Sequence, residues 1–499
     1  MSRRPITSAA TSPVFAFSLV FLTTLVPICE GIRVDERATG EIASLHRAVS
    51  AGDYGGFSAL ANKSDFYSSS RNKLLFNLDT GLASLYDSDP GRASGMLAAV
   101  GDMNEEYYTK SISRDIAAIL VNDLTLPYYG EDYEVTFAGN AAALAYAAAG
   151  ETEDALVEVR RVEHRLAVMS DAYEGDGRYR DDAFSHYLAG ILYEADGRID
   201  DARVSYRLAQ NAYGGRFFPG MPPGISRALD DLEDGGSSLF ALPAAAGTPD
   251  SSSSWFGAIP GFIYPGVTGL FTPWRWLRPP PAPIPTPGKK RVMAVCAFTG
   301  PGPVKEESVI NAHFTDDGVD YLIRIALPVL RSRIGSVRDV RLTVNGTTVP
   351  MDIAADYNHV GLNAFRDRSN AIFLRTLARV SARYLLVRAA KEKTVDSLSE
   401  DYEKAKEKYG EGSSEATGAL LRLKGASLTL DMIANELLEH ADTRCSLLIP
   451  GQARLARAVV SGDSARVAVE YLDARGGVVG REARKVATDC AAVVFTALR

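Results

Sequence analysis

The stretch Tyr187-Leu188-Ala189-Gly190-Ile191-Leu192-Tyr193, followed by Gly197, Ala202, Tyr206 and Ala209, decides how the N-terminal half folds. Apolar residues recur three and four apart on both sides of Gly197, so the spacing predicts two helices joined at a glycine turn. Small residues let antiparallel helices approach, and the tyrosines fill the space that remains. The register recurs upstream. Ala143, Tyr146, Gly150, Ala155, Val159 and Val162 fit it, whereas Gly81, Ala93, Leu97 and Val100 fit it poorly because no turn glycine separates them. Residues 35–235 read throughout as helix after helix, with few β-branched runs. The second-helix alanines at 93, 155 and 202 are spaced more widely than the ~34 residues of tandem helix pairs, so irregular helices are expected between them.

The pattern resembles a tetratricopeptide (TPR) repeat. Three motifs make the segment more specific: Val121 to Glu134, which carries Asn122, Asp123, Tyr128 and Glu131 and precedes a repeat; Tyr179-Arg180-Asp181-Asp182-Ala183-Phe184, which opens the last repeat; and Glu158-Val159-Arg160-Arg161-Val162 between them. With Gly302-Pro303-Val304-Lys305-Glu306-Glu307, Ala441-Asp442-Thr443-Arg444 and Leu448-Ile449-Pro450, they resemble an uncharacterised family of exported, often lipid-anchored bacterial proteins with TPR repeats. The chain departs from that family at Cys445-Ser446, where an aromatic is more usual, and in a long insert. The resemblance implies no established reaction. Stacked helix pairs form a concave surface that commonly holds a peptide or a partner helix. The candidate contacts are Asn122, Asp123, Tyr128, Glu131, Arg160, Arg161 and Asp182. Arg160 and Arg161 are read either as a clamp on partner carboxylates or as counter-charges to Glu131 or Asp132.

At 236–290 the composition changes. Eleven of the 24 prolines and all three tryptophans, Trp255, Trp274 and Trp276, fall there, which excludes a continuous helix and reads as a linker. No charge interrupts Trp255 to Trp274, and Arg275 and Arg278 follow. That arrangement suits a membrane interface. The competing reading is an apolar strap across the helical domain. Beyond it, period-two patterns predict strands at Arg291–Phe298 and Tyr321–Leu327. Asn345-Gly346 between Val340–Val344 and Thr347–Val349 predicts a hairpin. Helices are expected at about 364–391 and 416–440, with a charged helix continuation or loop at 391–411. Strands at 465–471 and 477–480 flank a turn at 473–476. The expected plan is multidomain: an all-α TPR-like domain at 35–235, the linker, an α+β domain at 291–440, and a small antiparallel β module at 441–499.

Arg3 and Arg4 precede the uncharged run Val14–Ile28, the order of an export signal, so residues 1–31 are read as a signal peptide or lipoprotein signal. Cys29 is the candidate lipid attachment site. Cleavage after Gly31 and an uncleaved anchor are the alternatives. All three place the remainder outside the cytoplasm, in the periplasm or on the outer membrane, away from nucleotide cofactors. A length of 499 residues requires more than one core, and a net charge of -8 argues against a nucleic-acid partner. No phosphate loop, H-E-x-x-H pair or nucleophile elbow occurs, and neither a cofactor nor a metal is expected. Cys296, Cys445 and Cys490 allow at most one bridge, with no choice of pair from sequence. The expected function is a non-enzymatic cell-envelope scaffold that binds a protein or peptide through a TPR-like groove, with a lipid anchor or interfacial contact to the membrane. The alternative is an envelope enzyme or glycan-processing factor with its site near Lys305, Glu306, Asp442 and Arg444.

Overall fold

The computed structural model describes residues 33–35, 40–111, 124, 126–172, 179–236, 291–316, 319–432 and 440–498. The signal at 1–31 with Cys29, residues Asn122 and Asp123, and the 237–290 segment with its three tryptophans lie outside these. The N-terminal half is helical: α1 (Gly40–Ala51), α2 (Tyr54–Ala61), the single turn α3 (Asp65–Ser68), α4 (Lys73–Tyr86), α5 (Pro90–Ser111), α6 (Asp132–Ala148), α7 (Thr152–Ala172), α8 (Ala183–Ala195), α9 (Ile199–Ala212) and α10 (Pro223–Gly236).

Four helix pairs close in the same way. A residue with left-handed backbone ends the first helix: Gly52 (φ 71), Ser88 (φ 66), Gly150 (φ 83) and Gly197 (φ 82). The next amide then donates back to a carbonyl of the last turn, Asp53 to Ala48, Asp89 to Ser84, Glu151 to Tyr146 and Arg198 to Tyr193, each at 2.9 Å. This bond satisfies a carbonyl that the helix end would leave orphaned. The second pair of the series thus turns without the glycine its sequence lacks, because Ser88 adopts the conformation itself. Close approach follows the expected residues. A Cβ on Gly190 would sit 2.5 Å from the Tyr206 ring, and one on Gly81 would sit 2.8 Å from Leu97. Between α6 and α7 the tight seat is Gly139, where a Cβ would meet Val162 at 2.5 Å.

The C-terminal half forms three sheets, and antiparallel pairing predominates. The first, in the order β11-β2-β8-β7, uses β2 (Arg291–Pro301), β7 (Asp352–Asp356), β8 (Pro450–Val460) and β11 (Ala492–Ala497), with β11 parallel to β2. The second, β10-β9-β5-β6, uses β5 (Asp339–Val344), β6 (Thr347–Val349), β9 (Ser464–Leu472) and β10 (Val478–Ala487). Strand β2 has helices on one face and the second sheet on the other. Ala294, Cys296 and Phe298 join the core with the helices, while Met293, Val295 and Ala297 join the core between the sheets. Burial on both faces explains its unbroken apolar run. The third sheet, β1-β3-β4, joins β1 (Arg33–Asp35) to the long hairpin of β3 (Val304–Asp316) and β4 (Val319–Arg331). Helix α11 (Tyr357–Tyr409) has 53 residues, about 80 Å at 1.5 Å per residue, and α12 (Ser414–Met432) returns along it. The charged 391–411 stretch is therefore helix as far as Tyr409. Val380 and Tyr384 of α11 pack on Tyr321, Ile323 and Ile325 of β4.

Two boundaries differ from the sequence reading. The strands of 441–499 do not stand apart as a module: β8 and β11 pair with β2, and β9 pairs with β5, so they share both sheets with 291–356. Alternating patterns fix faces, not partners, and the partners here are distant in sequence. The described ends of the proline-rich segment also meet one strand. Asp231 of α10 lies 2.7 Å from Arg457 on β8, and Arg457 is the register partner of Ala294 on β2. Residues 236 and 291 therefore flank a common layer rather than two separated domains.

Candidate functional site

The inner helices α4, α6 and α8 would line the groove of a helix-pair array. In this protein the first sheet covers them. Every residue of α8 from Ala183 to Glu194 is buried. Phe298 of β2 packs against Phe137 of α6 and Tyr86 of α4, with ring centroids 5.3 and 5.7 Å apart. The Ala491 amide donates to Ala147 O at 3.0 Å, Tyr86 Oη donates to Leu448 O at 2.9 Å, and Tyr213 Oη donates to Ala354 O at 2.6 Å. A buried ion pair fastens the far end, where Arg457 reaches Glu194 on α8 at 2.6 Å.

At the other end lies a dense polar cluster. Glu131, at the start of α6, holds Lys305 Nζ at 2.6 Å on one oxygen and Arg368 of α11 at 2.5 Å on the other. Lys305 Nζ and the Arg444 guanidinium lie 5.6 and 5.5 Å from the Tyr128 ring centroid, within cation–π range. Tyr128 Oη donates to Glu134, whose second oxygen accepts from Ser446 N at 3.0 Å. Arg444 is gripped by Asp442 at 2.8 Å, Asn72 at 3.1 Å and Leu126 O at 3.0 Å. Asp79 of α4 accepts from Tyr67 Oη and Ser446 Oγ, each at 2.5 Å. The late motifs read from sequence, Lys305 to Glu307 and Ala441 to Arg444, thus meet the 121–134 insertion.

The electrostatics follow from burial and pairing. Burial alone would raise the Glu131 carboxyl, but Lys305 and Arg368 override it and hold it down at about 2. Burial opposes the charge on Lys305, yet Glu131, Asp442 and Glu134 more than compensate and raise it. Among the described residues no cation is paired with Asp79. Burial pushes it up to about 7, while hydrogen bonds from Ser446 and Tyr67 restrain the rise. Burial likewise raises Glu134 and pushes the Cys445 thiol up to about 12, which keeps it a thiol.

Of the seven contacts expected from sequence, five are described. Tyr128 and Glu131 are interior members of the cluster. Asp182 is buried and caps α8, accepting from Ser185 N at 2.6 Å and from Ser185 Oγ at 2.8 Å. Arg161 bonds Asp102 and lies 3.0 Å from Glu158, which ties α7 to α5; Asp132 is instead met by Arg165 at 3.8 Å. Arg160 alone among the five faces solvent. The two arginines therefore form no clamp, because adjacent helix positions point in different directions. Sequence reading missed Asp79, Tyr67 and Arg368. The signal for Asp79 was available: it is the single charged residue in the run Leu74–Leu85. Cys296, Cys445 and Cys490 are all free thiols. Among the described residues no group of three or more His, Cys, Asp or Glu side chains is placed to hold a metal ion, and no described helix is long and apolar enough to cross a membrane. No family model, curated protein or solved structure matches the chain.

Proposed function

We propose that the protein is a non-enzymatic scaffold of the cell envelope, built on a TPR-like array whose groove is filled by its own C-terminal sheet. The shared turns at Ser88, Gly150 and Gly197, with Ala93, Ala155 and Ala202 buried at one place on each second helix, support the TPR-like reading. An export signal with Cys29 as lipid site, and interfacial contact by Trp255, Trp274 and Trp276, belong to the same reading. The observation that carries the proposal is the occupied inner face. A protein partner must then use the outer helices. On α7, Val157, Arg160, His164 and Val168 form an exposed stripe with helical spacing. In-cell crosslinking of a tagged protein, with Arg160→Glu against Arg160→Lys, tests this surface. The charge reversal should abolish the major crosslinked species and the lysine variant should retain it; equal crosslinking in both removes α7 as the contact.

A second reading, an envelope enzyme, draws on the convergence of Lys305, Asp442 and Arg444 with Glu131, Glu134 and Asp79. Against it stands the internal pairing of those charges, since Lys305 and Arg444 already hold carboxylates in direct contact.

A further inference from the structure

The middle of α11 has two faces with opposite surroundings. Val380, Tyr384 and Val387 pack on β4. On the other side, at about 100° per residue, Ala371, Leu374, Ala378, Ala382, Leu385 and Ala389 fall within an arc of about 80°. This stripe points away from β4 and carries no charge. Leu374 is 63% exposed and Leu385 53%. Ala371, Ala378 and Ala389 are exposed as well, and Ala382 is half-buried. Helix α12 does not reach the stripe: its 19 residues, starting at Ser414, return only to about position 391.

Spacing, size and symmetry define what the stripe suits. Ala371, Ala378 and Leu385 lie at intervals of seven, as do Ala382 and Ala389, and a seven-residue repeat keeps a seam facing one partner helix along its length. Alanine at four of the six positions offers little area unless another backbone comes close, which a packed helix achieves. A helix lying in a membrane interface carries bulky Trp, Phe or Leu side chains instead. About position 380 the pattern also reads alike in both directions: Ala371 mirrors Ala389, Ala378 mirrors Ala382, and Leu374 mirrors Leu385 to within one residue. A two-fold axis requires such a pattern, because each residue that touches a second is touched by that second residue's copy. The charges agree. Reversal about position 380 sets Arg375 opposite Leu385 and Arg388 opposite Ile372, so no arginine between 366 and 388 meets another. A parallel pair would set Arg375 beside its own copy, and like charges so placed oppose pairing.

We propose that the protein pairs with a second copy of itself through this stripe, the two α11 helices running antiparallel about a two-fold axis at the level of position 380. The alanines let the helices approach, and the exposed leucines fill the space beside them. The seam covers about 27 Å of helix, which is short for an interface, so the dimer is micromolar rather than nanomolar. The pairing is independent of the α7 surface.

Multi-angle light scattering of the purified full chain tests the pairing. At about 100 μM it should report twice the mass of one chain, falling to a single mass on dilution to about 0.1 μM. Leu374→Glu combined with Leu385→Glu should be monomeric at about 100 μM. It should keep the melting temperature of the dilute unaltered chain, because both leucines are exposed in the single chain. Orientation is read with cysteines. Under oxidised glutathione, Ala378→Cys combined with Ala382→Cys should give a covalent dimer beyond that of the unaltered chain, and Ala378→Cys alone should give little, because antiparallel helices set 378 against 382 rather than against itself. The proposal is overturned if the unaltered chain is a monomer at about 100 μM, whether or not it binds phosphatidylglycerol vesicles. It is equally overturned if the glutamate variant stays dimeric, or if Ala378→Cys alone crosslinks as well as the cysteine pair. Should the glutamate variant fail to fold, the cysteine pair, which leaves both leucines in place, still decides.

Discussion

The inner helices α4, α6 and α8 and the outer helices α5, α7 and α9 alternate along the chain but have opposite environments. The inner ones are closed in on every side: α6 is buried from Tyr133 to Ala138 and again from Asn140 to Ala145. The outer ones keep a solvated face, and on α7 Val168 remains 52% exposed. A groove-forming array would leave the inner helices half open. Here a sheet from the far end of the chain fills that space, so the polar residues at the groove's margins serve as clasps between the halves. Polar residues in an insertion therefore mark a junction as readily as a binding surface.

Three changes would break or sharpen this contrast. The largest effect is expected at the clasp. Glu131→Ala strands buried Lys305 and removes a contact of Arg368, so it should cost about 3–5 kcal/mol in urea unfolding, whereas a loss below about 1 kcal/mol would mean that the pair behaves as a surface contact. Next comes Asp79, whose folded-state pKa of about 7 lies above the ordinary 3.8. The unfolded chain ionises this group first, so its contribution is fully present below about 3.8 and is lost as pH rises through about 7. Asp79→Asn should remove a negative slope of up to about 1.4 kcal/mol per pH unit in that window, and identical pH profiles for both proteins would contradict it. Glu131 acts in the opposite sense: its stabilisation is present above the ordinary carboxylate range and is lost as pH falls toward about 2. The smallest effect is expected on the outer face, where Val168→Ser should change stability by no more than about 0.5 kcal/mol. A larger loss there would show that the outer stripe is packed in solution.

Much of the local structure was legible in the sequence. Asn345 (φ 49) and Gly346 (φ 82) form the predicted hairpin turn, and Gly197 with Gly190 and Tyr206 forms the predicted helix pair. These readings depend on neighbours within a few residues, whose chemistry restricts backbone angles directly. The turn at Ser88 escaped because serine adopts positive φ only when the surrounding helices impose it. The covering of the inner face was legible only in hindsight. The continuous apolar character of α8 and β2 signals burial on all sides, but it does not say what lies opposite. Of the cluster, Lys305, Asp442 and Arg444 were picked out by motif, whereas Arg368 carries no local signal: its pairing with Glu131 spans 237 residues of sequence.

The parallel pairing of β11 with β2 has a consequence for how the molecule comes into being. Synthesis delivers the helices before the strand that docks on the end of α6. Until β2, β8 and β11 have all emerged, the inner surfaces with Phe137, Leu144, Leu188 and Ile191 lack the complete sheet that covers them. Native closure therefore waits until strands far along the chain have emerged, and contacts of such long sequence separation form slowly. The helices thus emerge before they can lock, and a helical half truncated before β8 should be trapped by chaperones or proteases rather than accumulate as a smaller folded protein.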